Sequence, residues 1–461
     1  MIAPFYFSSS SGRRLLTNDS GAYFFLSEKD FQDFICERIP KGSEILNRMT
    51  ELGFWYDGNQ ESFLRESSLA YISGNNYLFD ATSLFIFAVT NECNNRCIYC
   101  QANGIESSCK MTIEVAEQAL KQISRCAAPS LTIEFQGGEP LLNFPVIQYI
   151  VENTREIMPE KDVHFTVVSN LALLTEEMAC FFAENKVNIS TSLDGPDYLH
   201  DINRPAANGS SSFAAMISGK NILSKYGIRP GAIETTTAQS LKYPKEIVHS
   251  YVENGFGQIF LRPLTRLGAA AKCWDKVGYR PENFIQFYRQ ALEEIITMNR
   301  NGIPLMEYHA ALFLTKILNR RAVNYMELRS PCGAGIGQMA ITAHGDVYTC
   351  DEGRMMAEMG DEAFRIGNVF EGDYSKWIEA PSCRATCAAS LLESLPGCCD
   401  CVYKPYCGVC PVINYAINGN TTSVSKDRCR IYSGILETLF NYLYQSDPFV
   451  MSLFHQWAEQ G

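Results

Sequence analysis

From residue 84 onward, short apolar runs alternate with longer stretches in which apolar residues recur every three or four positions. The short runs have the length of buried strands, and the longer stretches have the period of amphipathic helices. The pattern predicts strands at 84–89, 131–135, 164–169, 188–193, 231–236 and 258–261, with helices at 113–124, 146–152, 176–184, 213–226 and 245–254 between them. Repeated strand-helix units favour a parallel sheet with right-handed crossovers, so the sequence predicts an α/β fold, a partial (β/α)6 barrel.

The flanking regions have other patterns. In residues 1–80, candidate strands at 14–17 and 22–26 flank Asn18-Asp19-Ser20-Gly21, whose residues tolerate the positive φ of a hairpin turn. Helical stretches follow at 28–37, 43–52 and 61–72, with Ser43 as an N-cap. The predicted division is a small α+β module at 1–80, a barrel at 81–270, a helical bridge at 271–330, a cysteine-rich domain at 331–430 and an aromatic-rich C-terminal helix at 431–461.

Composition narrows the functional classes. The chain has 461 residues, 46% of them hydrophobic, which is enough for two or three domains with ample cores. A net charge of −12 without a long basic run argues against a nucleic-acid partner and against an electrostatic membrane anchor. No apolar segment approaches ~18 residues and no signal peptide is visible, so we expect a cytoplasmic protein. Eighteen cysteines in such a chain indicate metal clusters in a reducing compartment.

The first barrel strand is followed by Cys93, Cys97 and Cys100, at Cys-x3-Cys-x2-Cys spacing. Three thiolates at this spacing can hold three irons of a [4Fe-4S] cluster and leave the fourth iron open to a ligand that is not protein. A structural zinc site needs a fourth Cys or His, and the residues directly after Cys100 provide none. Tyr99 lies directly before Cys100, a position from which an aromatic ring would contact the adenine group of a ligand on the open iron. The alternative is a buried-thiol loop or a zinc knuckle.

Cys-x3-Cys-x-aromatic-Cys after a first strand resembles the signature of radical S-adenosylmethionine (radical SAM) enzymes. The resemblance implies that the open iron chelates the amino and carboxylate groups of SAM. It further implies that an electron from the cluster splits SAM, and that the resulting 5'-deoxyadenosyl radical abstracts a substrate hydrogen. Sites in such barrels gather at the C-terminal ends of the strands.

Polar residues end the next three strands. Gln136-Gly137-Gly138-Glu139-Pro140 ends the second, and its glycines allow the backbone to approach a ligand without Cβ obstruction. In radical SAM enzymes this loop binds the SAM amino group, and polar residues at the next two strand ends serve the methionine carboxylate and the ribose hydroxyls. Ordinary turn caps are the alternative. The resemblance therefore assigns SAM binding to Tyr99, Gly137, Gly138, Glu139, Ser169, Asn170, Ser192 and Asp194.

Seven further cysteines form a second pattern, in which Cys332 precedes Gly345-x4-Cys350, Cys398-x2-Cys401-x5-Cys407-x2-Cys410 and Cys429. This spacing resembles the SPASM extension of peptide-modifying radical SAM enzymes, although the extension usually has x3 where this chain has x2 before Cys410. The resemblance implies two auxiliary iron-sulfur clusters of the [4Fe-4S] type. One is held by Cys398, Cys401, Cys407 and Cys429, and the other by Cys332, Cys350 and Cys410, with its fourth ligand missing or supplied by Cys383, Cys387 or Cys399.

Two questions stay open for the cysteine-rich domain. Zinc is an alternative to iron and sulfide for the stretch 398–410. Asp351, directly after Cys350, matches the position of an acid that is proposed to take a substrate proton in sulfatase-maturing relatives. The sequence thus predicts Asp351 as a catalytic base, with a solvated turn acid as the alternative. Arg262, after the sixth strand, is interpreted as an ion-pair partner of the barrel.

Within the superfamily, the chain resembles the His-Xaa-Ser-system radical SAM maturases. The resemblance lies in Leu15-Leu16-Thr17-Asn18-Asp19-Ser20-Gly21, in Phe260-Leu261-Arg262-Pro263-Leu264 and in Tyr403-Lys404-Pro405-Tyr406-Cys407-Gly408. It implies a ribosomally made precursor peptide as substrate and an intramolecular cross-link between side chains as product. It also implies a reductant such as flavodoxin or ferredoxin, and a partner maturase. The module at 1–80 resembles, in outline, winged-helix-like modules that bind leader peptides, with a plain packing role as the alternative.

Two other functional classes remain. One is the oxidation or epimerisation of a residue in a protein substrate, as in sulfatase maturation. The other is a non-enzymatic iron-sulfur protein that transfers electrons or binds a partner. Production of 5'-deoxyadenosine from SAM separates the last class from the first two.

Overall fold

The structure is a computed structural model and describes residues 1–10, 13–102 and 108–461. The N-terminal module is an antiparallel sheet of three strands, β1 to β3, in sequence order. Three helices follow the sheet, and Ser43 caps the second of them, as predicted. The elements are β1 (Tyr6–Ser10), β2 (Arg13–Thr17), β3 (Tyr23–Ser27), α1 (Glu28–Ile35), α2 (Glu44–Glu51) and α3 (Gln60–Gly74).

Strand β1 is absent from the sequence prediction, which places two strands in this module. Its sequence, Tyr-Phe-Ser-Ser-Ser, lacks the apolar alternation that marks a half-buried strand. It is a strand because it pairs with β2 along its whole length, from Tyr6 opposite Thr17 to Ser10 opposite Arg13. The predicted hairpin turn is present between β2 and β3, where Gly21 has a φ of 75°.

The central domain is the predicted partial barrel. Its six strands pair in parallel with their neighbours in sequence order. The strands are β4 (Leu84–Thr90), β5 (Ser130–Gly137), β6 (Asp162–Val168), β7 (Asn188–Ser192), β8 (Gly231–Thr236) and β9 (Gln258–Pro263). The helices are α4 (Ile113–Ile123), α5 (Phe144–Ile157), α6 (Glu176–Glu184), α7 (Asp197–Asn203), α8 (Ser212–Lys225) and α9 (Pro244–Glu253).

Short strands extend the barrel sheet at both edges. On one side β10 pairs in parallel with β9, and on the other β11 pairs in parallel with β4 and leads into an antiparallel β11-β12-β13 ribbon. The cysteine-rich domain is therefore continuous with the barrel sheet. These strands are β10 (Met306–Glu307), β11 (Gln338–Ile341), β12 (Asp346–Tyr348) and β13 (Arg365–Asn368).

Helices link and cover these sheets. The bridge contains α10 (Gly268–Lys272), α11 (Trp274–Val277), α12 (Pro281–Arg300) and α13 (Tyr308–Leu318). The cysteine-rich domain contains α14 (Asp351–Glu358), α15 (Tyr374–Glu379), α16 (Pro381–Ala389) and α17 (Pro411–Asn418). None of the helices in residues 1–10, 13–102 and 108–461 is long and apolar enough to cross a membrane.

The C-terminal segment differs from the single helix predicted for it. It forms α18 (Lys426–Gln445) and α19 (Pro448–Ala458), which pack on α12 and α13 of the bridge. Ser446 ends α18 in the left-handed conformation, at a φ of 53°, and Asp447 caps α19 by accepting a bond from the Val450 N–H (3.0 Å). The Asp-Pro pair that breaks the helix is visible in the sequence.

Two large apolar cores hold the domains together. One joins the later barrel strands to the bridge and to the C-terminal helices, through residues such as Leu261, Phe313 and Leu439. The other lies under the earlier strands and includes Phe87 together with Met339 of β11. Since both cores cross domain boundaries, the barrel and its attachments pack as one unit.

Glu307 caps α13 from within the first core, and its replacement is expected to be costly. The side chain is fully buried, and its carboxylate accepts bonds from the N–H groups of His309, Ala310 and Leu261 and from the Tyr288 hydroxyl. Glu307→Ala would leave these donors without an acceptor. We expect the free energy of unfolding to fall by about 3 kcal/mol, measured by urea denaturation of the metal-free protein.

Glu253→Ala is the matched control, because Glu253 is exposed at the end of α9. Its effect should stay within about 0.5 kcal/mol. Equal effects of the two substitutions would contradict the capping role of Glu307.

Candidate active site

The cysteine loop, residues 93–100, is held on one side by the segment 203–207. Arg204 and its neighbours run antiparallel to the loop, as the bridge between Asn95 and Ala206 shows. Three main-chain bonds join the segments: Arg96 N–H to the Pro205 carbonyl (2.7 Å), Ile98 N–H to the Asn203 carbonyl (2.9 Å) and Ala207 N–H to the Asn94 carbonyl (2.8 Å). Both the shape and the position of the loop are thus fixed by the chain that follows the fourth barrel strand.

Helix α10 holds the loop on its other side. The Ala269 N–H donates to the Cys100 carbonyl (2.8 Å). Gly268 has a φ of 55°, and a Cβ atom there would lie 2.4 Å from that carbonyl oxygen. Glycine is therefore required for α10 to begin so close to the loop. The stretch 103–107, directly after the loop, lies outside the described residues.

The thiols of Cys93, Cys97 and Cys100 are free and interact electrostatically with one another, so they lie near each other. Burial raises the pKa of Cys93 to about 11 and that of Cys97 to about 12. Thiols in such surroundings ionise when a metal supplies positive charge, because the ligand must be a thiolate. The chemistry of this donor set therefore fits an iron-sulfur cluster.

The glycines of the loop after β5 lie against the cysteine loop itself. The Gly138 N–H donates to the Thr90 carbonyl (2.8 Å), and the Glu139 N–H donates to the Glu92 carbonyl (2.7 Å). A Cβ atom on Gly137 would lie 2.0 Å from the Thr90 oxygen, and one on Gly138 would lie 2.2 Å from the Glu92 oxygen. The close approach that these glycines permit is thus an approach to the chain's own backbone, directly before Cys93.

Glu139, Ser169 and Asn170, which end neighbouring strands, come together as predicted for one site. The fully buried Glu139 carboxylate accepts bonds from the Ser169 hydroxyl (2.7 Å) and the Asn170 N–H (2.9 Å). Burial raises the Glu139 pKa to about 7, despite these bonds. The Asn170 side-chain amide donates to the Asn94 side chain (2.8 Å), which ties the group to the cysteine loop. Ser192 is the last residue of β7 and is partly exposed.

Tyr99 and Asp194, predicted as separate SAM contacts, are bonded to each other. The Tyr99 hydroxyl donates to the Asp194 carboxylate (2.6 Å), and the Arg204 guanidinium lies 3.1 Å from the same carboxylate oxygen. Arg204 also lies over the Tyr99 ring, 5.2 Å from its centroid. Asp194 is fully buried, and its other oxygen accepts a bond from the Thr235 N–H (3.3 Å).

Arg204 is a residue that the sequence reasoning missed. Its only signal in the sequence is a basic side chain in the loop after the strand that carries Asp194. The guanidinium is buried and lies close enough to Cys97 and Cys100 to oppose the rise of their pKa values. Arg204 therefore adds a buried positive charge beside thiols that are predicted to bind a cluster.

Asp194→Asn should destabilise the protein strongly. It would leave Arg204 buried without its counter-charge, and breaking one partner of a buried ion pair costs about 3–5 kcal/mol. We expect the melting temperature of the metal-free protein to fall by several degrees in differential scanning calorimetry. Glu176→Gln is a matched control, because it breaks the Glu176–Lys225 pair, whose side chains are about 60% exposed. A shift for Asp194→Asn no larger than that of the control would argue against a buried pair.

A second thiol set, Cys332, Cys350 and Cys410, lies in one buried apolar cluster with residues of α14 and α17. Cys350 is the N-cap of α14, and its sulfur accepts a bond from the Gly353 N–H (3.3 Å). Cys332 is anchored by α16, because its N–H donates to the Ser390 hydroxyl (2.9 Å). Residues that the sequence separates widely thus meet at one place, as the motif implies.

The third set, Cys398, Cys401, Cys407 and Cys429, lines one small pocket nearer to the surface. Electrostatic effects among these thiols show their proximity. Cys399 lies with this set, beside Cys398. Cys383 and Cys387 interact with each other within α16.

The described residues contain no site for a single metal ion. No group of three or more His, Cys, Asp or Glu side chains in 1–10, 13–102 and 108–461 is placed to hold one metal ion. In an iron-sulfur cluster the thiolates bind separate irons, so they do not converge on a point. The assignment of each cysteine set to a cluster stays a prediction.

A cavity of about 680 Å³ occupies the barrel and reaches the second thiol set. Gln101, next to Cys100, lines it, and so do residues of the barrel strands and of α14. The cavity thus extends from the residue directly after the cysteine loop to the cysteine-rich domain. Its polar lining includes Gln101, Glu134, Gln136, Arg262, Tyr325, Glu327, Cys332, Cys350, Asp351, Glu352 and Cys410.

Asp351, the predicted base, lines this cavity and is oriented by Arg354. The Arg354 side chain donates two bonds to Asp351 Oδ1, from Nε (2.8 Å) and from Nη2 (2.6 Å). Arg354 is almost completely buried and also pairs with Glu358. Since both bonds to Asp351 end on one oxygen, the guanidinium fixes the carboxylate without using Oδ2.

Arg262 also lines the cavity. It forms ion pairs, but with Glu327 of the bridge and Glu352 of α14, whereas the sequence interpretation placed its partner on the barrel. Its guanidinium lies 3.9 Å from carboxylate oxygens of both Glu327 and Glu352. Glu327 is further bound by Arg428 (3.3 Å) and by the Tyr432 hydroxyl (2.6 Å). The wall beside the second thiol set is therefore a charged network.

Residues 87–246 match the family model of the Radical SAM superfamily, so the chain carries a radical SAM domain. It is homologous to the anaerobic sulfatase-maturating enzymes. It is 25% identical to the cysteine-type enzyme of Clostridium perfringens over 301 residues, which are 62% of this chain and 77% of the relative. It is 22% identical to the radical SAM cyclopropyl synthase TigE of Paramaledivibacter caminithermalis over 443 residues, 92% of this chain and 86% of the relative.

A Methanocaldococcus jannaschii protein without an assigned function is 31% identical over 182 residues. That match covers 40% of this chain and 63% of the relative, which is less than two thirds of its length.

Solved structures show the same fold. Native anSMEcpe with bound AdoMet superposes with a TM-score of 0.68 at 20% identity, covering 79% of this chain and 98% of that chain. Streptococcus suis SuiB bound to the precursor peptide SuiA gives a TM-score of 0.56 at 14% identity, covering 93% of this chain and 99% of that chain. The fold of this chain is thus that of anSMEcpe and SuiB over most of its length.

Proposed function

We propose that the protein modifies a ribosomally made precursor peptide and forms a cross-link between two of its side chains. The observation that carries the proposal is a cavity that is lined by Gln101, directly after the cysteine loop, by Asp351 and by the second thiol set. A new bond between two side chains removes two hydrogens from the peptide. One cavity with a site for hydrogen abstraction, a base and a further redox centre suits that requirement.

The cofactor assignment follows from the donor sets. Cys93, Cys97 and Cys100 would hold a [4Fe-4S] cluster, and Glu139, Ser169 and Asn170 lie beside them for SAM. When bound, cluster and SAM supply the radical that takes a hydrogen atom from the substrate. The other two thiol sets would hold auxiliary iron-sulfur clusters. Zinc in the stretch 398–410 is the alternative, which iron, sulfide and zinc analysis of the purified protein separates.

The residues of the cavity wall have separate roles in this proposal. Asp351 Oδ2 would accept the proton that leaves when the new bond closes, while the two bonds from Arg354 to Oδ1 hold the carboxylate in place. The positive charge of Arg262 partly offsets the negative charges of Glu327 and Glu352. The peptide would therefore enter a cavity whose wall carries little net charge at this point.

Two relatives support a peptide substrate. SuiB, whose fold extends over nearly the whole of this chain, has been solved with its precursor peptide. The cyclopropyl synthase TigE, by name an enzyme that forms a ring, aligns with 92% of the chain. The alternative is oxidation or epimerisation of a residue in a protein substrate, and it is favoured by the likeness to sulfatase-maturating enzymes.

Co-expression with a short peptide tests the proposal. The peptide is taken from a neighbouring reading frame that encodes repeated His-Xaa-Ser, and its mass is measured intact. A cross-link or a desaturation removes two hydrogens, whereas epimerisation leaves the mass unchanged. Tandem fragmentation then shows a cross-link as missing cleavages between the joined residues. An unmodified peptide beside wild-type enzyme that cleaves SAM would contradict the assignment of this substrate.

The N-terminal module is proposed to bind the leader segment of the same peptide. Helix α3 buries none of its residues, and Leu64 and Leu69 are more than half exposed. A groove of about 460 Å³ runs between α3, the turn that joins β2 and β3, and the segment 50–57. Its lining includes Asp19, Glu51, Asp57 and Glu66 beside apolar side chains, which favours a segment with both basic and apolar residues.

Substitution of the groove tests the leader site more cleanly than deletion. Strand β3 packs against α18 through ring contacts of Phe25 with Phe440 and Tyr444, so truncation of the module would expose those rings. Leu64→Glu, at a residue that lines the groove, is expected to weaken peptide binding at least about tenfold in fluorescence anisotropy. Ile303→Glu, at an exposed residue of the bridge, is the control. Unchanged affinity would remove the leader-binding role.

The cellular compartment, the electron donor and a partner protein are further parts of the proposal. All 18 cysteines lie in the described part of the chain, and each is a free thiol, which fits a reducing compartment such as the cytoplasm. A flavodoxin or ferredoxin would supply electrons there. A partner maturase would be detected by co-purification from the producing cells.

A further inference from the structure

The second thiol set has three cysteines, and one carboxylate on the same cavity wall stands out beside it. Glu352 lines the cavity together with Cys332, Cys350 and Cys410. It lies in the first turn of α14, two positions after the N-cap Cys350. Burial raises the pKa of all three thiols, and Glu352 raises it further at each of them. The negative charge of Glu352 therefore lies near the whole set.

The other carboxylates of this wall are bound by strong donors. Asp351 takes two bonds from Arg354, and Glu327 takes bonds from Arg428 and the Tyr432 hydroxyl. For Glu352, the nearest cation in the described residues is Arg262, at 3.9 Å, which is beyond hydrogen-bond distance. Apart from a bond from its own N–H, the Glu352 carboxylate accepts no hydrogen bond from the residues of the described ranges. A largely buried carboxylate beside three thiols, bound by no side-chain donor at hydrogen-bond distance, has the arrangement of a metal ligand.

We infer that Glu352 supplies the fourth protein ligand of the iron-sulfur site formed by Cys332, Cys350 and Cys410. The inference rests on the auxiliary clusters of the proposed function. It gives this site an oxygen ligand in place of a fourth thiolate. The three additional thiols that the sequence offers for this role, Cys383, Cys387 and Cys399, belong to other groups in the described structure: Cys383 pairs with Cys387 in α16, and Cys399 lies beside Cys398.

Mössbauer spectroscopy of iron-57-reconstituted protein tests the inference. All samples carry Cys93→Ala, Cys97→Ala and Cys100→Ala, so that the iron which would bind SAM cannot contribute. An iron with an oxygen ligand has a larger isomer shift than one bound by sulfur alone, and two auxiliary clusters contain about eight irons. We expect a distinct signal from about one iron in eight, and we expect Glu352→Gln to remove or shift it without loss of iron.

Glu134→Gln is the matched control, because Glu134 lines the same cavity from β5 and takes a bond from Gln136. It should leave the signal unchanged. Glu352→Cys should convert the distinct iron to one bound by sulfur alone. Because this variant keeps a ligand at position 352, it shows whether a lost signal in Glu352→Gln comes from a disturbed fold. If Glu352→Gln and the control both keep the distinct signal, Glu352 is not a ligand. If the samples hold no iron and sulfide at all, the auxiliary clusters of the proposed function are wrong, and the inference fails with them.

Discussion

Cys97→Ala is expected to abolish the formation of 5'-deoxyadenosine from SAM. Cys97 is the middle thiol of the cysteine loop, and alanine in its place would leave two thiolates for a cluster that needs three. We expect the rate to fall at least about 1000-fold, equivalent to about 4 kcal/mol in the barrier. The rate is measured by chromatography after anaerobic reconstitution and addition of SAM and dithionite.

Cys36→Ala serves as the control for this substitution, because Cys36 is an exposed thiol at the end of α1. It should retain the wild-type rate. The backbone bonds that hold the loop to 203–207 involve no sulfur, so the Cys97 variant should keep its fold, as circular dichroism would show. Continued production of 5'-deoxyadenosine by Cys97→Ala would mean that the loop does not hold the reactive cluster.

Asp351→Asn is expected to stop formation of the modified peptide while cleavage of SAM continues. The amide is isosteric with the carboxylate but cannot take a proton, and loss of a general base costs about 100-fold to 10,000-fold in rate. Mass spectrometry of the peptide and chromatography of 5'-deoxyadenosine give the two rates from one reaction. We expect the first rate to fall within that range and the second to change by less than about twofold.

Arg354→Lys gives an independent check of the same site. Lysine keeps the charge but not the two parallel bonds to Asp351 Oδ1, so a smaller loss of peptide modification is expected. Glu362→Gln, at an exposed carboxylate beyond the end of α14, should be neutral. If Asp351→Asn forms modified peptide at the wild-type rate, Asp351 is not the base.

The barrel was predictable because its pattern is periodic and local. The predicted helix at 176–184 and the strand at 231–236 have the same bounds in the structure. Strand β11 was not predicted because its pairing with β4 joins positions that are far apart in the sequence. Strand β1 was not predicted because its serines show no apolar pattern. Its pairing with β2 makes it a strand.

The sequence likewise marks some residues of the candidate site and not others. Motif spacing marks the cysteine sets and Glu139 as candidates, and their roles stay predictions. Arg204, Arg354 and Glu352 were given no role, because the contacts of a charged side chain come from neighbours that only the fold brings to it. Tyr99 and Asp194 illustrate the limit, because the motif marks both residues, yet only the structure shows that they bond to each other.

The most direct test of the account is whether the anaerobically reconstituted protein, given SAM and a strong reductant, produces 5'-deoxyadenosine. The account predicts that it does, with iron and sulfide bound at the cysteine loop. No 5'-deoxyadenosine, together with zinc bound by Cys93, Cys97 and Cys100, would contradict it.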